Sequence, residues 1–77
     1  MNAPRDIDPD DLDNRFAYHA PTIRTDHMHE VWHEECLDLA RTALANLPAG
    51  REKSLAITAL EECLHWGNAA IARNAPP

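Results

Sequence analysis

The sequence predicts an all-α protein in which a short N-terminal segment precedes an antiparallel hairpin of two long helices. Two stretches carry apolar residues at three- and four-residue steps, which is the period of a helix with a buried face. A stop signal, Leu-Pro-Ala-Gly at residues 47–50, separates the two stretches. No stretch alternates apolar and polar residues as a half-buried strand does. The 77 residues make one domain at most, with a modest core.

The N-terminal segment divides into two parts. The first 13 residues hold five Asp and two Pro, and we expect them to form a flexible acidic lead that ends in a short helical turn. Residues 14–24 contain Phe16, Tyr18 and Pro21 without a clear period, which indicates an ordered loop. The polar, acidic start argues against a signal peptide, and no apolar run approaches the length that spans a membrane. We therefore expect a cytoplasmic protein without a membrane partner.

The two long helices are expected over residues 26–47 and 51–73, followed by a tail at 75–77. Thr25 or Asp26 can cap the first helix. Its main apolar face holds Trp32, Cys36, Leu39, Ala40, Ala43 and Leu47. The second helix carries two apolar stripes, one of them made mostly of small residues that allow close helix packing. Because both helices are apolar around more than one stripe, the sequence predicts a symmetric homo-oligomer.

Charge and cysteine content narrow the possible partners. The formal net charge is −6 and the sequence pI is near 5.1, which argues against DNA or RNA as a partner but allows a small anion at one local basic site. The only cysteines are Cys36 and Cys63. We expect both thiols to be reduced in a cytosolic protein, although a Cys36–Cys63 bridge is sterically conceivable between paired helices.

Residues 29–33, His-Glu-Val-Trp-His, match the H-E-x-x-H pattern of zinc hydrolases. Cys36, Cys63 and His65 could add ligands, so a metal site is geometrically possible. However, the chain is rich in His and Glu, which makes a chance match unsurprising, and it is too short to wall a substrate cleft. We expect a solvated face with Trp32 turned inward, and no catalytic residue, metal or cofactor.

Two segments are candidates for binding a small anion. Arg51, Lys53, Ser54 and Thr58 lie at or near the start of the second helix, where backbone N–H groups and the helix dipole favour a phosphate. The alternative is a routine helix cap. In the aromatic loop, Phe16 and Tyr18 either pin the segment onto the hairpin or, with Tyr18 the better candidate, offer a face on which a nucleobase stacks.

Together these segments resemble a known family. Arg-Phe-Ala-Tyr-His-Ala-Pro at residues 15–21 and the run from Arg51 to Asn74 are similar to the phage anti-CBASS cyclic-oligonucleotide sponges, whose hairpin is shared with anti-Thoeris sponges. The resemblance implies a compact homohexamer in the cytoplasm of an infected bacterium. It also implies that the protein is not an enzyme: it would sequester cyclic dinucleotides, and in some members cyclic trinucleotides, without cleaving them.

The resemblance also implies residue roles. Tyr18 would stack on a base in a pocket shaped by Phe16, His19 and Pro21. Arg51, with Ser54 and Thr58, would hold phosphate, with Lys53 beside them. Some relatives have a basic ligand contact early in the first long helix; here His33 is the expected substitute. Trp66 is expected to serve packing and inter-chain contacts.

One departure from the family pattern concerns Gly67, since Ala is expected there. Glycine costs a helix about 1 kcal/mol unless a neighbouring backbone packs against it. Two alternatives to the cyclic di- or trinucleotide sponge stay open: a sponge for cyclic ADP-ribose-type Thoeris signals, and a helical interaction protein that binds no small ligand.

Overall fold

The computed structural model of the chain describes residues 6–75 and has three helices there: α1 (Pro9–Phe16), α2 (Ile23–Asn46) and α3 (Arg51–Asn74). No strand occurs among these residues, so the all-helical fold class is confirmed. The start of the expected acidic lead (residues 1–5) and the last two residues of the expected tail (76–77) lie outside the described residues. Within residues 6–75, no helix combines the length and apolar character needed to cross a membrane.

α1 forms at the end of the acidic lead, where a short helical turn was expected, and it is eight residues long. The Asp8 side chain accepts a hydrogen bond from the Asp10 N–H at 2.8 Å, and Pro9 occupies the first helical position. Proline there loses no hydrogen bond, because the first N–H groups of a helix have no intrahelical partner. Arg15 pairs with Asp11 one turn earlier at 2.8 Å. Residues 9–13 are therefore helical, and α1 continues into the expected loop 14–24.

α2 begins three residues before the predicted start at residue 26. The Thr22 hydroxyl accepts a hydrogen bond from the Thr25 N–H at 3.1 Å, and the Thr22 N–H donates to the Thr25 hydroxyl at 2.7 Å. Thr25 thus completes a reciprocal capping box, a position usually held by Glu or Gln, and is not itself the cap. The far ends of α2 and α3 differ from the predicted ends by one residue, which is normal for helix termini.

The turn between the long helices depends on Gly50 and Lys53. Gly50 has φ 155° and ψ 178°, a backbone conformation that is almost exclusive to glycine. The Lys53 ammonium donates a hydrogen bond of 2.6 Å to the Leu44 carbonyl oxygen. The last carbonyl groups of a helix have no intrahelical partner, so a cation there satisfies one of them and interacts favourably with the helix dipole. Lys53 therefore joins the start of α3 to the end of α2.

Side-chain contacts fix the antiparallel register of the hairpin. The Trp32 Nε1–H donates to the Leu64 carbonyl oxygen at 3.1 Å, and His29 Nδ1 forms a hydrogen bond of 2.8 Å with Asn68 Oδ1. The Trp32 ring lies directly against Gly67, where a Cβ would be 1.9 Å from Trp32 Nε1. Trp32 faces inward as predicted, whereas His29 is bonded to α3 and not merely solvated. The space that glycine leaves at position 67 is therefore filled by the Trp32 indole ring and not by a neighbouring backbone.

One copy of the chain buries little. Only Cys36 and Ala43 are buried among the described residues. The accessible surface is 6652 Å², whereas a compact monomer of 8.6 kDa exposes about 4,700 Å². The exposed apolar side chains of the two long helices include Val31, Leu37, Leu39, Leu44 and Leu55. The two-stripe pattern in the sequence therefore corresponds to apolar surface that one hairpin leaves in water.

Candidate functional site

The aromatic loop lies at the end of the hairpin where α2 begins and α3 ends. Arg73 Nη2 donates a hydrogen bond of 3.3 Å to the Arg15 carbonyl oxygen, which ties the last turn of α1 to the last turn of α3. His19 Nε2 lies 2.9 Å from the Asn14 carbonyl oxygen, so its ring holds the loop against α1. This contact gives His19 a structural role within the loop.

Both aromatic rings of the loop face solvent. Phe16 is 82% exposed and Tyr18 is 87% exposed. Neither ring pins the N-terminal segment onto its own hairpin, which was the structural alternative for these residues. Exposed aromatic faces are available to stack on a base or on another protein surface. Pro21 is also exposed and directly precedes the Thr22 cap of α2.

A cavity of about 550 Å³ opens between α1 and the last turns of α3. Its volume is in the range of small-molecule sites. Its lining combines aromatic, guanidinium, amide and carboxylate groups: Asp11, Asn14, Arg15, Phe16, Trp66, Arg73 and Asn74. Aromatic faces can stack on bases, and guanidinium groups bind phosphate through paired hydrogen bonds. We refer to this cavity as the aromatic–arginine cavity.

Trp66 and Arg73 were not among the predicted binding residues. Trp66 was assigned to packing and inter-chain contacts; in one copy it is 69% exposed and lines the aromatic–arginine cavity. The two residues are seven apart on α3, a spacing that puts them on one helical face. This spacing was visible in the sequence, but the position of α1 against that face was not.

The predicted phosphate residues lie at the opposite end of the hairpin. Arg51, Ser54 and Thr58 are exposed and follow helical spacing along one face of the first turns of α3. The Gly50 cap supplies no side chain to the first N–H groups. The Ser54 hydroxyl lies 3.5 Å from the Gly50 carbonyl oxygen, the local bond expected of a routine cap. Lys53 points back to α2, as described above.

The two predicted groups are far apart within one copy. α3 has 24 residues, so its ends are about 35 Å apart at 1.5 Å per residue. The aromatic loop is at one end and Arg51 is at the other. A single cyclic dinucleotide is much shorter than this distance. The structure therefore does not bring Tyr18 and Arg51 together in one protomer.

His33 lies between these two ends. It lines a groove of about 210 Å³ in the middle of the hairpin with Glu61 and apolar side chains that include Leu37, Ile57 and Leu64. Glu61 brings a carboxylate into this groove and no arginine or lysine within residues 6–75 lines it, so an anion is disfavoured there. His33 is thus separated from both predicted binding groups.

The zinc pattern does not assemble a metal site in the described part of the chain. Across residues 6–75, no cluster of three or more His, Cys, Asp or Glu side chains is arranged to hold a metal ion. His29 is bonded to Asn68, Glu30 is exposed, and Trp32 is directed at α3. Two of the five motif residues, His29 and Trp32, therefore make contacts with α3.

Comparison with known proteins identifies the family. A family model described as the Acb2/Tad1 hairpin domain matches residues 8–72. No curated protein and no solved structure matches the chain. The matched segment begins at the cap of α1, contains the aromatic loop, all of α2 and most of α3, and ends two residues before α3 does. The chain therefore belongs to the Acb2/Tad1 hairpin-domain family of sponge proteins, which bind cyclic nucleotide signals and sequester them rather than acting as enzymes.

Proposed function

We propose that the protein is a phage anti-defence sponge that binds cyclic di- or trinucleotide messengers of bacterial CBASS immunity and does not degrade them. It would act in the cytoplasm of the infected host, where sequestration keeps the messenger from its effectors. The observation that carries this proposal is the convergence of Phe16, Trp66 and Arg73 on one cavity, in a protein whose aromatic loop also exposes the ring of Tyr18. This combination supplies the stacking faces and the cation that a nucleotide requires.

Each group has a defined task in this proposal. Tyr18 stacks on a base, and Phe16 and Trp66 form apolar walls of the cavity. Arg73 keeps its bond to the Arg15 carbonyl oxygen with one N–H and has further N–H donors for a phosphate. The net charge of −6 then matters little, because binding depends on local donors and on exclusion of water.

Arg51, Ser54 and Thr58 form a second candidate contact region. Because this region is about 35 Å from the aromatic loop in one copy, it would meet a ligand held at the loop only through another chain. A homohexamer is the assembly we propose, in which several copies of Arg51 converge on one cyclic ligand. The exposed apolar stripes of α2 and α3 support such an assembly, because they need a partner surface.

The direct test is calorimetric titration of the purified full chain with cyclic dinucleotides, cyclic trinucleotides and a cyclic ADP-ribose. We expect at least one cyclic di- or trinucleotide to bind, and to be recovered chemically intact after the protein is denatured. Tight binding of the ADP-ribose ligand alone would replace the CBASS assignment with the Thoeris alternative. Absence of binding by the whole panel at micromolar concentration would refute the sponge proposal and favour an interaction protein.

Variants then test the two regions separately. Tyr18→Ala removes an exposed ring and should weaken binding about 5- to 150-fold, the equivalent of one lost base stack. Arg41→Ala is a control for both variants: it removes one charge, as Arg51→Ala does, and it lies away from the loop. Arg41 is an exposed arginine of α2 outside the aromatic–arginine cavity. Arg51→Ala should weaken binding of the ligand on which several copies of Arg51 converge in the proposed homohexamer. Equal effects of Tyr18→Ala and Arg41→Ala would contradict the proposed role of the loop.

A further inference from the structure

The two cysteines face each other across the hairpin. Trp32 packs on Gly67, and one helical turn further into the hairpin on each helix lie Cys36 and Cys63. In an antiparallel pair, moving four residues forward on one helix and four back on the other preserves the facing position. Both cysteines also line the same surface groove, together with Trp32, Leu39, Thr42 and Leu60. The register therefore places Cys36 and Cys63 at facing positions, and both open onto one groove.

The two thiols have different environments. Cys36 is buried between the helices, whereas Cys63 is exposed to solvent. Burial raises the pKa of the Cys36 thiol, and Cys63 raises it further, both as a neighbouring charge and as a hydrogen-bonding partner. Because the thiolate is the reactive form, Cys63 is the thiol that a soluble oxidant reaches and reacts with first. Cys36 is placed to react second.

We propose that Cys36 and Cys63 form a reversible internal disulfide that clamps α2 to α3 when the protein meets hydrogen peroxide or a soluble disulfide such as oxidised glutathione. This modification concerns the hairpin itself and is independent of the ligand that the protein binds.

With peroxide, the Cys63 thiolate attacks one oxygen, the O–O bond breaks, and a sulfenic acid and one water form after proton uptake. The Cys36 sulfur then attacks the Cys63 sulfur, the S–O bond breaks, and the second water leaves. Two thiols are oxidised, and one peroxide is reduced to two waters. With oxidised glutathione, Cys63 first forms a mixed disulfide and releases one glutathione thiol, and Cys36 displaces the second.

Two features make the clamp feasible and conditional. A disulfide requires close approach of the two backbones, and the neighbouring interhelical positions Ala40, Ala43, Ala56 and Ala59 are small. The thiols are free in the structure, and a reducing cytosol keeps them so. The clamp therefore forms when oxidant is present and opens when thiol reductants restore both cysteines.

The test uses the purified full chain, treated with hydrogen peroxide or oxidised glutathione and compared with the same chain in a phosphine reductant. We expect the intact mass to fall by two hydrogen atoms and a linked peptide pair to contain residues 36 and 63. The linkage closes a long loop, so the thermal midpoint should rise by about 10 °C or more and return on reduction.

Two variants separate the clamp from other thiol chemistry. Cys63→Ser alters an exposed side chain, so it should fold normally, lose no hydrogen on oxidation and show no thermal shift. Cys36→Ala should retain a glutathione adduct on Cys63 that the wild-type chain resolves. Three outcomes would overturn the proposal: disulfides between chains only, further oxidation of Cys63 without a link, or as much stable adduct on the wild-type chain as on Cys36→Ala.

Discussion

Replacing Gly67 with alanine should destabilise the protein, although the same change at an ordinary helix position is stabilising. Alanine is about 1 kcal/mol better than glycine within a helix. Here the new methyl group would lie 1.9 Å from Trp32 Nε1 and 2.1 Å from Cε2, whereas such atoms pack comfortably at about 3.5–4 Å. The indole must therefore move outward, away from α3.

Two losses follow from this movement. The hydrogen bond from Trp32 Nε1 to the Leu64 carbonyl oxygen is broken, at a net cost of about 1 kcal/mol. Overpacking adds about 1–3 kcal/mol. After the gain in helix propensity is subtracted, Gly67→Ala should lower the free energy of unfolding by about 1–3 kcal/mol.

The measurement is urea unfolding followed by far-ultraviolet circular dichroism, at one fixed protein concentration for every variant. A double-mutant cycle supplies the control. In the Trp32→Ala background the clash is absent, so Gly67→Ala should become stabilising by up to about 1 kcal/mol. A stabilising effect in the wild-type background, or the same effect in both backgrounds, would refute the proposed fit of the indole over Gly67.

Further predictions concern the helix ends and the thiols. Thr22→Ala should cost about 1 kcal/mol of stability in urea unfolding, and Thr22→Asp should retain most of it, because both Thr and Asp cap a helix; equal losses would exclude the capping role. Lys53→Met should cost about 0.5–1 kcal/mol, whereas Lys53→Arg should cost less, since only the cation caps α2. Gly50→Ala should cost about 1–3 kcal/mol from backbone strain, and a neutral effect would contradict the φ of 155°. Iodoacetamide should modify Cys63 faster than Cys36, as measured by peptide mass. Raising the pH through the thiol range should narrow the difference between the two rates, because burial raises the pKa of Cys36. Equal rates at neutral pH would contradict this order of reactivity.

The long helices were predictable because their period and the stop at residues 47–50 are both local features. α1 was predicted only as a short helical turn at the end of a flexible lead, because its Asp and Pro residues suggested disorder, although Asp8 followed by Pro9 is also a helix start. The contact between Trp32 and Gly67 could not be predicted, since it depends on the register between two helices. The sequence alone shows that Gly67 lowers the stability of the helix, but it does not show that the Trp32 ring needs the space at that position.

The candidate site was predictable only in part. The helix start at Arg51 follows from the sequence, and the distance between Tyr18 and Arg51 follows from an antiparallel hairpin with long arms. The exposure of Tyr18 was one of two alternatives that the sequence left open. The aromatic–arginine cavity could not be predicted from the sequence, because it depends on where α1 lies against α3. The bond between Arg73 and the Arg15 carbonyl oxygen sets that placement, and it joins residues 58 positions apart in the chain.

The small core of one hairpin has a consequence for dose. Only Cys36 and Ala43 are buried among the described residues of a single copy. In the proposed homohexamer, association would contribute to folding, and the folded fraction would rise with protein concentration. A sponge acts stoichiometrically, because each binding site removes one signal molecule at a time. The number of signal molecules removed is the product of the amount of protein and its folded fraction. If the protein is the proposed homohexameric sponge, protection of the phage should increase more steeply than the amount of protein made, with little effect at low copy number and a rapid onset once synthesis favours assembly.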